Sequence, residues 1–167
     1  ERSRGLGDVY KRQELINETV LSSSSLMNNS HCKLPWYKEG LYFKCTGCGE
    51  CCTGSPGFVW LTQEDIKRFS SYFQISEEAF LRKYTRQVGL HISLLEKETS
   101  FDCIFLQDRK CSVYNARPLQ CRSYPFWSAI LESKDCWQKE QNYCEGINHP
   151  DASLVQLEEI IDKKEKL

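Results

Sequence analysis

Four cysteines occur within eight positions of one short stretch, FKCTGCGECCTG, at residues 43–54. They are Cys45, Cys48, Cys51 and Cys52. Free buried thiols seldom gather four together, and two adjacent cysteines cannot bridge each other without severe strain. In the first C-x2-C, Gly47 and then Gly49 allow the tight turn that points two sulfurs at one ion. The stretch therefore predicts a metal site, and the fold of the chain must be built around it.

The ten cysteines of this 167-residue chain could also form the disulfide framework of a secreted domain. However, residues 1–13 show no apolar segment of a secretory signal, and a chain of this length can build one modest core without disulfides. Its 40% content of hydrophobic residues predicts a single domain. We therefore favour metal ligation over a disulfide framework.

The spacing of the cysteines does not identify the metal. Cys45, Cys48 and Cys51 match the first three positions of the bacterial iron–sulfur run, whose fourth ligand comes from elsewhere. The C-x2-C-G turn equally suits a mononuclear zinc or iron ion, whereas soft thiolates exclude magnesium and calcium. Because consecutive side chains project apart, we expect Cys51 and Cys52 to serve two neighbouring centres.

A second cysteine-rich stretch, CIFLQDRKCSVYNARPLQCRSYPFW, covers residues 103–127. Together with the first stretch and with CEGI at 144–147, it resembles the YkgJ-type cysteine-cluster family, whose domain is named for its CxxCxxCC motif and described as chelating zinc or iron. The resemblance spans about residues 41–150 and includes GFVWLTQEDI at 57–66. It implies eight metal ligands. These are Cys45, Cys48, Cys51, Cys52, Cys103, Cys111, Cys121 and Cys144.

Three other side chains bear on this ligand set. Cys136 is an alternative to Cys144, because both belong to the same downstream stretch. Cys32 falls outside the family pattern, and we treat it as an ordinary thiol. His149 is an alternative ligand close to Cys144, although a lone surface histidine is the more common case.

Two arginines lie in RPLQCRSYPFW, at the centre of the resemblance. Anionic thiolates benefit from nearby cations and hydrogen-bond donors, so Arg117 and Arg122 are candidates to support the metal ligands. They suit ion pairs with acidic side chains equally well. We expect the neighbouring Phe126 and Trp127, and also Trp60, to fill the core.

The sequence does not assign a reaction. It contains no phosphate loop, dinucleotide fingerprint, hydrolase triad order or paired zinc-hydrolase histidines, so whether the protein is an enzyme stays open. Three hypotheses remain: a metal-binding module that chelates zinc or iron, an iron–sulfur redox enzyme or accessory, and a zinc-stapled interaction domain without catalysis. The implied cofactor is zinc, iron or an iron–sulfur cluster.

The charge and hydropathy of the sequence exclude some classes of partner. The formal net charge is -1, and the only dense run of basic residues is KKEK near the C-terminal end, which predicts no nucleic-acid partner. Apolar runs are only a few residues long, whereas a membrane helix needs roughly 20. We therefore expect a soluble, cytoplasmic protein that binds metal ions and no membrane, and we leave any protein partner unassigned.

These observations predict an α+β fold: a small single domain of short helices, a β-hairpin and irregular loops, organised around a cysteine-ligated metal centre. Residues 1–13 resemble a translated linker or adapter and are interpreted as not native, and 14–40 as a flexible N-terminal segment. Residues 41–150 form the predicted cysteine-cluster domain, and 151–167 a C-terminal helix.

Local patterns place the elements of this domain. Thr62 and Ser76 are predicted helix N-caps, each followed by apolar residues at helical spacing. The segments 91–97 and 101–106 alternate enough to be short strands, and the turn-like QDRK follows the second, so a hairpin or meander is expected. Asp151 is the predicted cap of the last helix.

Metal removal tests the dependence of the fold on its ligands. We expect reduced, metal-free protein to lose most of its helical signal and to regain it on anaerobic reconstitution, because ligands scattered over a hundred residues close long loops at high entropic cost. Circular dichroism before and after chelation measures this. An unchanged spectrum after complete chelation would contradict a metal-dependent fold.

Overall fold

The computed structural model describes residues 34–54 and 56–165. The interpretation of residues 1–13 as a linker, and that of Cys32 as an ordinary thiol, lie outside the described residues. Within them the chain forms a small α+β domain of five α-helices and three two-stranded antiparallel pairs, as the sequence predicted. No helix among the described residues has the length and apolar character needed to cross a membrane.

Helix α1, Gln63–Phe73, begins where its cap predicts. The Thr62 side chain accepts a hydrogen bond from the backbone N–H of Asp65, and the Asp65 carboxylate accepts one from the backbone N–H of Thr62. This reciprocal capping box satisfies two helix-end donors. The helix buries Ile66 and Phe69 on one face.

Helix α2, Glu77–Tyr84, follows after a short turn and is capped by Ser76, whose hydroxyl accepts from the N–H of Ala79. Phe80 is fully buried, and its ring stacks on that of Phe69 in α1 with 4.9 Å between centroids. Both predicted helices are thus confirmed. Their shared apolar faces form the first of two hydrophobic clusters in the domain.

The main hairpin differs from the expected one. Strand β2, Thr85–Val88, leaves α2 directly and pairs with β3, His91–Leu94. The second predicted segment, 101–106, meets the first only beyond β3: Glu96 forms an isolated bridge with Cys103, and the Leu95 carbonyl oxygen accepts a hydrogen bond from the Ile104 N–H at 3.1 Å. A two-residue turn at 89–90 lets β3 fold straight back, so its own ladder is formed with the residues just before it.

A second, very short hairpin carries one of the cysteines. Strands β4, Leu106–Gln107, and β5, Lys110–Cys111, are joined by Asp108 and Arg109, which have positive φ angles of 46° and 58°. Two consecutive positive φ angles are typical of a type I′ turn, whose twist suits a tight hairpin. The turn predicted at QDRK is therefore confirmed.

The C-terminal segment corrects the expectation of a helix from Asp151. Residues Ser153–Val155 form strand β6, which pairs with β1, Leu41–Phe43, and helix α5 begins only at Leu157 and runs to Glu165. The strand is favoured because it places Val155 opposite the buried Leu41. The pairing joins the start of the predicted 41–150 domain to the segment that follows it, so the packed unit includes the C-terminal segment.

A second hydrophobic cluster surrounds helices α3, Leu119–Ser123, and α4, Lys134–Glu140. Phe126 and Trp127 are buried in it, as predicted, whereas Trp60 lies half-buried against Phe58 outside it. The described end of the segment predicted to be flexible also packs here. Tyr37 is buried, and the indole N–H of Trp36 donates to the Leu131 carbonyl oxygen at 2.8 Å.

The carboxylate of Asp65 links helix α1 to helix α3. This side chain is 1% exposed, pairs with Arg68 at 2.8 Å and accepts a hydrogen bond from the backbone N–H of Leu119, the first residue of α3, at 2.9 Å. Helix α3 carries Cys121. One buried carboxylate therefore closes the start of α1 and fixes the start of the helix that supplies a predicted ligand.

Replacing this carboxylate tests its role. We expect Asp65→Ala to lower the free energy of unfolding by about 2–4 kcal/mol, because buried donors lose their acceptor. Urea denaturation of the metal-loaded protein measures the change. The control is Glu64→Ala, an exposed residue paired only with Lys67 at 3.2 Å, which should change stability by no more than about 0.5 kcal/mol. Equal effects of the two substitutions would contradict the linking role of Asp65.

Candidate metal centre

All eight predicted ligands line one cavity of about 60 Å³. On the same measure a single water needs roughly 10–15 Å³, so the space accommodates only a few atoms. The cysteines come from three parts of the chain. They are Cys45, Cys48, Cys51, Cys52, Cys103, Cys111, Cys121 and Cys144. Cys136, on α4, does not line the cavity, which favours Cys144 over this alternative.

The walls of the cavity come from both hydrophobic clusters. Leu94, Phe105 and Val113 belong to the first cluster, and Phe43 and Tyr124 pack against the second. The thiols therefore lie where the two halves of the domain meet. The cysteines come together where the two hydrophobic clusters pack against each other.

The CxxCxxCC stretch enters the cavity through a loop and one turn of 3-10 helix, Glu50–Cys52. The preceding residue, Gly49, has φ 79° and packs so closely on the β4–β5 turn that a Cβ would lie 2.3 Å from the Arg109 carbonyl oxygen. Only glycine fits this position. An ion pair between Glu50 and Arg109 holds the same two segments together.

Cys51 and Cys52 do not diverge as expected. Their Sγ atoms are 3.9 Å apart. Successive side chains point to opposite faces along a strand, but in a 3-10 helix three residues complete a turn, so neighbours are only about 120° apart. The Cys52 backbone carbonyl also accepts a hydrogen bond from the N–H of Cys103 at 2.8 Å, which brings the second cysteine-rich stretch alongside the first.

One thiol occupies the middle of a group of four. Cys52 lies within hydrogen-bonding reach of the thiols of Cys51, Cys103 and Cys111. Hydrogen bonding to Cys52 lowers the pKa of each of these three thiols, for Cys111 to about 6, whereas the pKa of Cys52 itself is raised by the same contacts. A lowered pKa favours the thiolate form of Cys51, Cys103 and Cys111, and thiolates are the form that binds metals.

The other thiols are in a different electrostatic setting. Burial raises the pKa of the Cys121 thiol well above its usual range. Burial also raises the pKa of Cys144, to about 11. Burial makes these two thiols harder to ionise. A soft cation bound in the cavity would offset that free-energy cost, because it neutralises the thiolates.

The two arginines predicted to support the metal ligands occupy different places in the structure. Arg117 lines the cavity, with its Nη1 3.9 Å from the Cys45 sulfur and its guanidinium carbon 3.5 Å from the centre of the Tyr114 ring. Arg122 donates from Nε to the Arg117 carbonyl oxygen at 3.0 Å and lies 3.9 Å from the carboxylate of Asp65. Positive charge beside the thiols thus comes from Arg117, and Arg122 faces α1.

A buried pair beside the cavity was not foreseen from the sequence. The hydroxyl of Tyr124, which lines the cavity, donates to the Glu140 carboxylate at 2.5 Å. Burial raises the pKa of both groups. Tyr124 was visible in the motif, but nothing in the spacing pointed to Glu140 on α4. His149 does not line the cavity, and its Nδ1 accepts from the Asp151 N–H at 3.1 Å.

The spacing of the Cys51 and Cys52 sulfurs matches that of two ligands on one tetrahedral ion. With Zn–S bonds of about 2.3 Å, two sulfurs on one tetrahedral ion lie about 3.8 Å apart. The 3.9 Å between Cys51 and Cys52 therefore fits one shared ion. Across residues 34–54 and 56–165, no three His, Cys, Asp or Glu side chains stand in a complete metal-holding arrangement, so the thiols are gathered in one cavity without forming a closed polyhedron.

A family model named CxxCxxCC, described as "Putative zinc- or iron-chelating domain", matches residues 44–145. The chain belongs to this family. The resemblance seen in the sequence is thereby confirmed, and the description supports metal binding as a general property of the domain. A Methanocaldococcus jannaschii protein, "Uncharacterized protein MJ0661", is 32% identical over 136 residues, which cover 77% of this chain and 71% of the relative. No solved structure matches the chain.

The close contact at Gly49 gives a test of this geometry. We expect Gly49→Ala to reduce both bound metal and stability, because the new Cβ would collide with the Arg109 carbonyl and displace the 3-10 turn that carries Cys51 and Cys52. Metal per chain by mass spectrometry and the urea midpoint measure the effect. Gly47→Ala is the matched control, since Gly47 also has a positive φ, 74°, but a Cβ there meets nothing within 4 Å. A larger loss for Gly47→Ala would refute the steric argument.

Proposed function

We propose that this protein binds zinc or iron through the thiolates of the eight cysteines that line the cavity. The observation that carries the proposal is their convergence on one cavity from residues as far apart as Cys45 and Cys144. Such convergence is not needed to fill a core, since Leu and Phe pack without it. Clustered thiolates repel each other, and a bound cation removes that repulsion.

A disulfide framework is less consistent with the geometry. All nine cysteines within the described ranges are free thiols. The Cys51 and Cys52 sulfurs are 3.9 Å apart, nearly twice the length of an S–S bond of about 2.05 Å. Free thiolate ligands also suit a reducing compartment such as the cytoplasm, which is the location that we propose.

We further propose that the eight ligands form two four-thiolate sites. The contacts of Cys52 support an inner set. It consists of Cys51, Cys52, Cys103 and Cys111. The remaining cysteines then form an outer set. It consists of Cys45, Cys48, Cys121 and Cys144.

The short distance between Cys51 and Cys52 favours two sulfurs on one metal ion over a [4Fe–4S] cluster. In a [4Fe–4S] cluster each cysteine binds its own iron, which keeps the ligating sulfurs further apart than they are on one tetrahedral ion. We therefore propose mononuclear ions, and the sulfide analysis below distinguishes them from a [2Fe–2S] cluster, in which each iron also binds two cysteines. Four protein thiolates on each ion leave no position open for a substrate, which is the pattern of non-catalytic sites. The proposed role is therefore chelation of the ion and not hydrolysis.

Metal analysis of protein purified anaerobically tests this proposal. We expect about two equivalents of zinc or iron per chain and no acid-labile sulfide, because eight thiolates fill two tetrahedral sites. Sulfide together with a brown absorption band would replace mononuclear sites with an iron–sulfur cluster. Protein that remains metal-free after anaerobic reconstitution with either ion would contradict metal binding altogether.

A pair of variants provides the matched control. Cys52→Ser should lower the metal content from two equivalents to about one, since it removes the central thiol of the inner set. Cys136→Ser should leave it unchanged, because this half-exposed thiol does not line the cavity. Full metal content in Cys52→Ser would show that Cys52 is not a ligand.

A further inference from the structure

The cavity reaches solvent at the loop that carries Cys45, the one exposed thiol among the eight cysteines that line it. Cys45 is exposed and Cys48 half-exposed, and both lie on the loop at 44–49, which has no regular secondary structure. The backbone at Gly47, between them, faces open space. The flanking side chains of Tyr114 and Tyr143, exposed to 39% and 51%, border this opening. The outer set of thiols therefore contains the part of the centre that a solvent species can reach.

Side chains from a neighbouring segment hold the exposed thiol at this opening. Cys45 lies 3.9 Å from Nη1 of Arg117 and within hydrogen-bonding reach of the Tyr114 hydroxyl. Arg117 in turn stacks on the Tyr114 ring and donates from Nε to the Tyr114 carbonyl oxygen at 2.9 Å. The inner set is held by backbone contacts instead. The Cys52 carbonyl oxygen accepts a hydrogen bond from the Cys103 N–H, and the 3-10 turn packs on the Arg109 carbonyl.

From this asymmetry we infer that Cys45 and Cys48 form an exchange gate, through which a metal ion passes between the outer site and an incoming thiolate. The inference rests on the proposed function. In the exchange, the incoming sulfur forms a bond to the ion as the bond to Cys45 breaks, and the proton of the incoming thiol moves to the released Cys45 sulfur. Coordination number and oxidation state are unchanged, so no oxidant or reductant is needed.

Arg117 is the positioning residue of this gate. Its guanidinium places positive charge at the opening, where it attracts an incoming sulfur with thiolate character and stabilises the negative charge on Cys45 until that sulfur takes up the proton of the incoming thiol. The inner set, by contrast, contains no exposed thiol: Cys103 and Cys111 are both half-buried. The ion exchanged is therefore the outer one, and the inner ion is retained.

Stopped-flow release of zinc tests the gate. The wild-type protein, loaded with two zinc ions under anaerobic conditions, is mixed with an excess of a chromogenic pyridylazo chelator. We expect two phases of equal amplitude, a fast one from the outer site and a slow one from the inner site. Cys45→Ser should lose the fast phase and keep the slow one, Cys103→Ser should lose the slow phase, and Cys136→Ser should match the wild type.

A second measurement separates positioning from structure. With a metal-free C-x2-C peptide as acceptor, Arg117→Gln should slow transfer about threefold to tenfold and weaken its dependence on salt, at unchanged zinc content. Arg117→Lys should restore most of the rate. Arg82→Gln, which removes an exposed charge on α2, should have no effect. A small monothiol used in place of the peptide shows whether the acceptor must carry two sulfurs.

The outcomes distinguish this inference from the proposed function. A wild-type protein that binds no zinc before mixing would overturn the proposed function and the gate with it. A loaded protein that releases all its zinc in one phase, or a Cys45→Ser variant that keeps the fast phase, would overturn the gate alone. Loss of zinc content in Arg117→Gln would assign Arg117 a structural role instead of a positioning one.

Discussion

The structure depends on bringing eight thiol groups, from both ends of the domain, to one small cavity. Neither hydrophobic cluster contains this cavity; its wall takes side chains from both, such as Phe105 from one and Tyr124 beside the other. Each cluster can bury its own aromatic residues without the thiols. The junction between them gathers the eight thiols beside apolar side chains, so it is the part of the domain that gains most from a bound cation.

Three close contacts hold the segments at this junction in place. Gly49 lets the 3-10 turn approach the β4–β5 hairpin, and the Cys103 N–H bonds the Cys52 carbonyl oxygen. Asp65 ties the start of α1 to the N–H of Leu119. These contacts use groups that a helix end or a turn would otherwise leave unsatisfied. The cysteines that line the cavity are therefore positioned by the same hydrogen bonds that complete the local structure.

The site could be predicted further than the fold. The eight cysteines that line the cavity are those that the family resemblance implied, and the spacing of the CxxCxxCC run by itself pointed to the first four. The pattern could not indicate that the Cys51 and Cys52 sulfurs lie only 3.9 Å apart, since this depends on the conformation of one turn. It also could not separate Arg117 from Arg122. Their roles differ because Asp65, more than fifty residues upstream, attracts Arg122.

The sequence by itself determined the elements whose causes are local: the caps at Thr62 and Ser76, the tight turn at 108–109 and the cysteine motif. Only the tertiary structure decided the pairing of β1 with β6, where Asp151 had suggested a helix, and the contact of Tyr124 with Glu140. A cap or a turn is satisfied by neighbours a few residues away, so its signal is written in the sequence nearby. A strand of three residues or a buried acid gains its stability from partners distant in the chain, and its conformation is settled only when the two hydrophobic clusters have packed together.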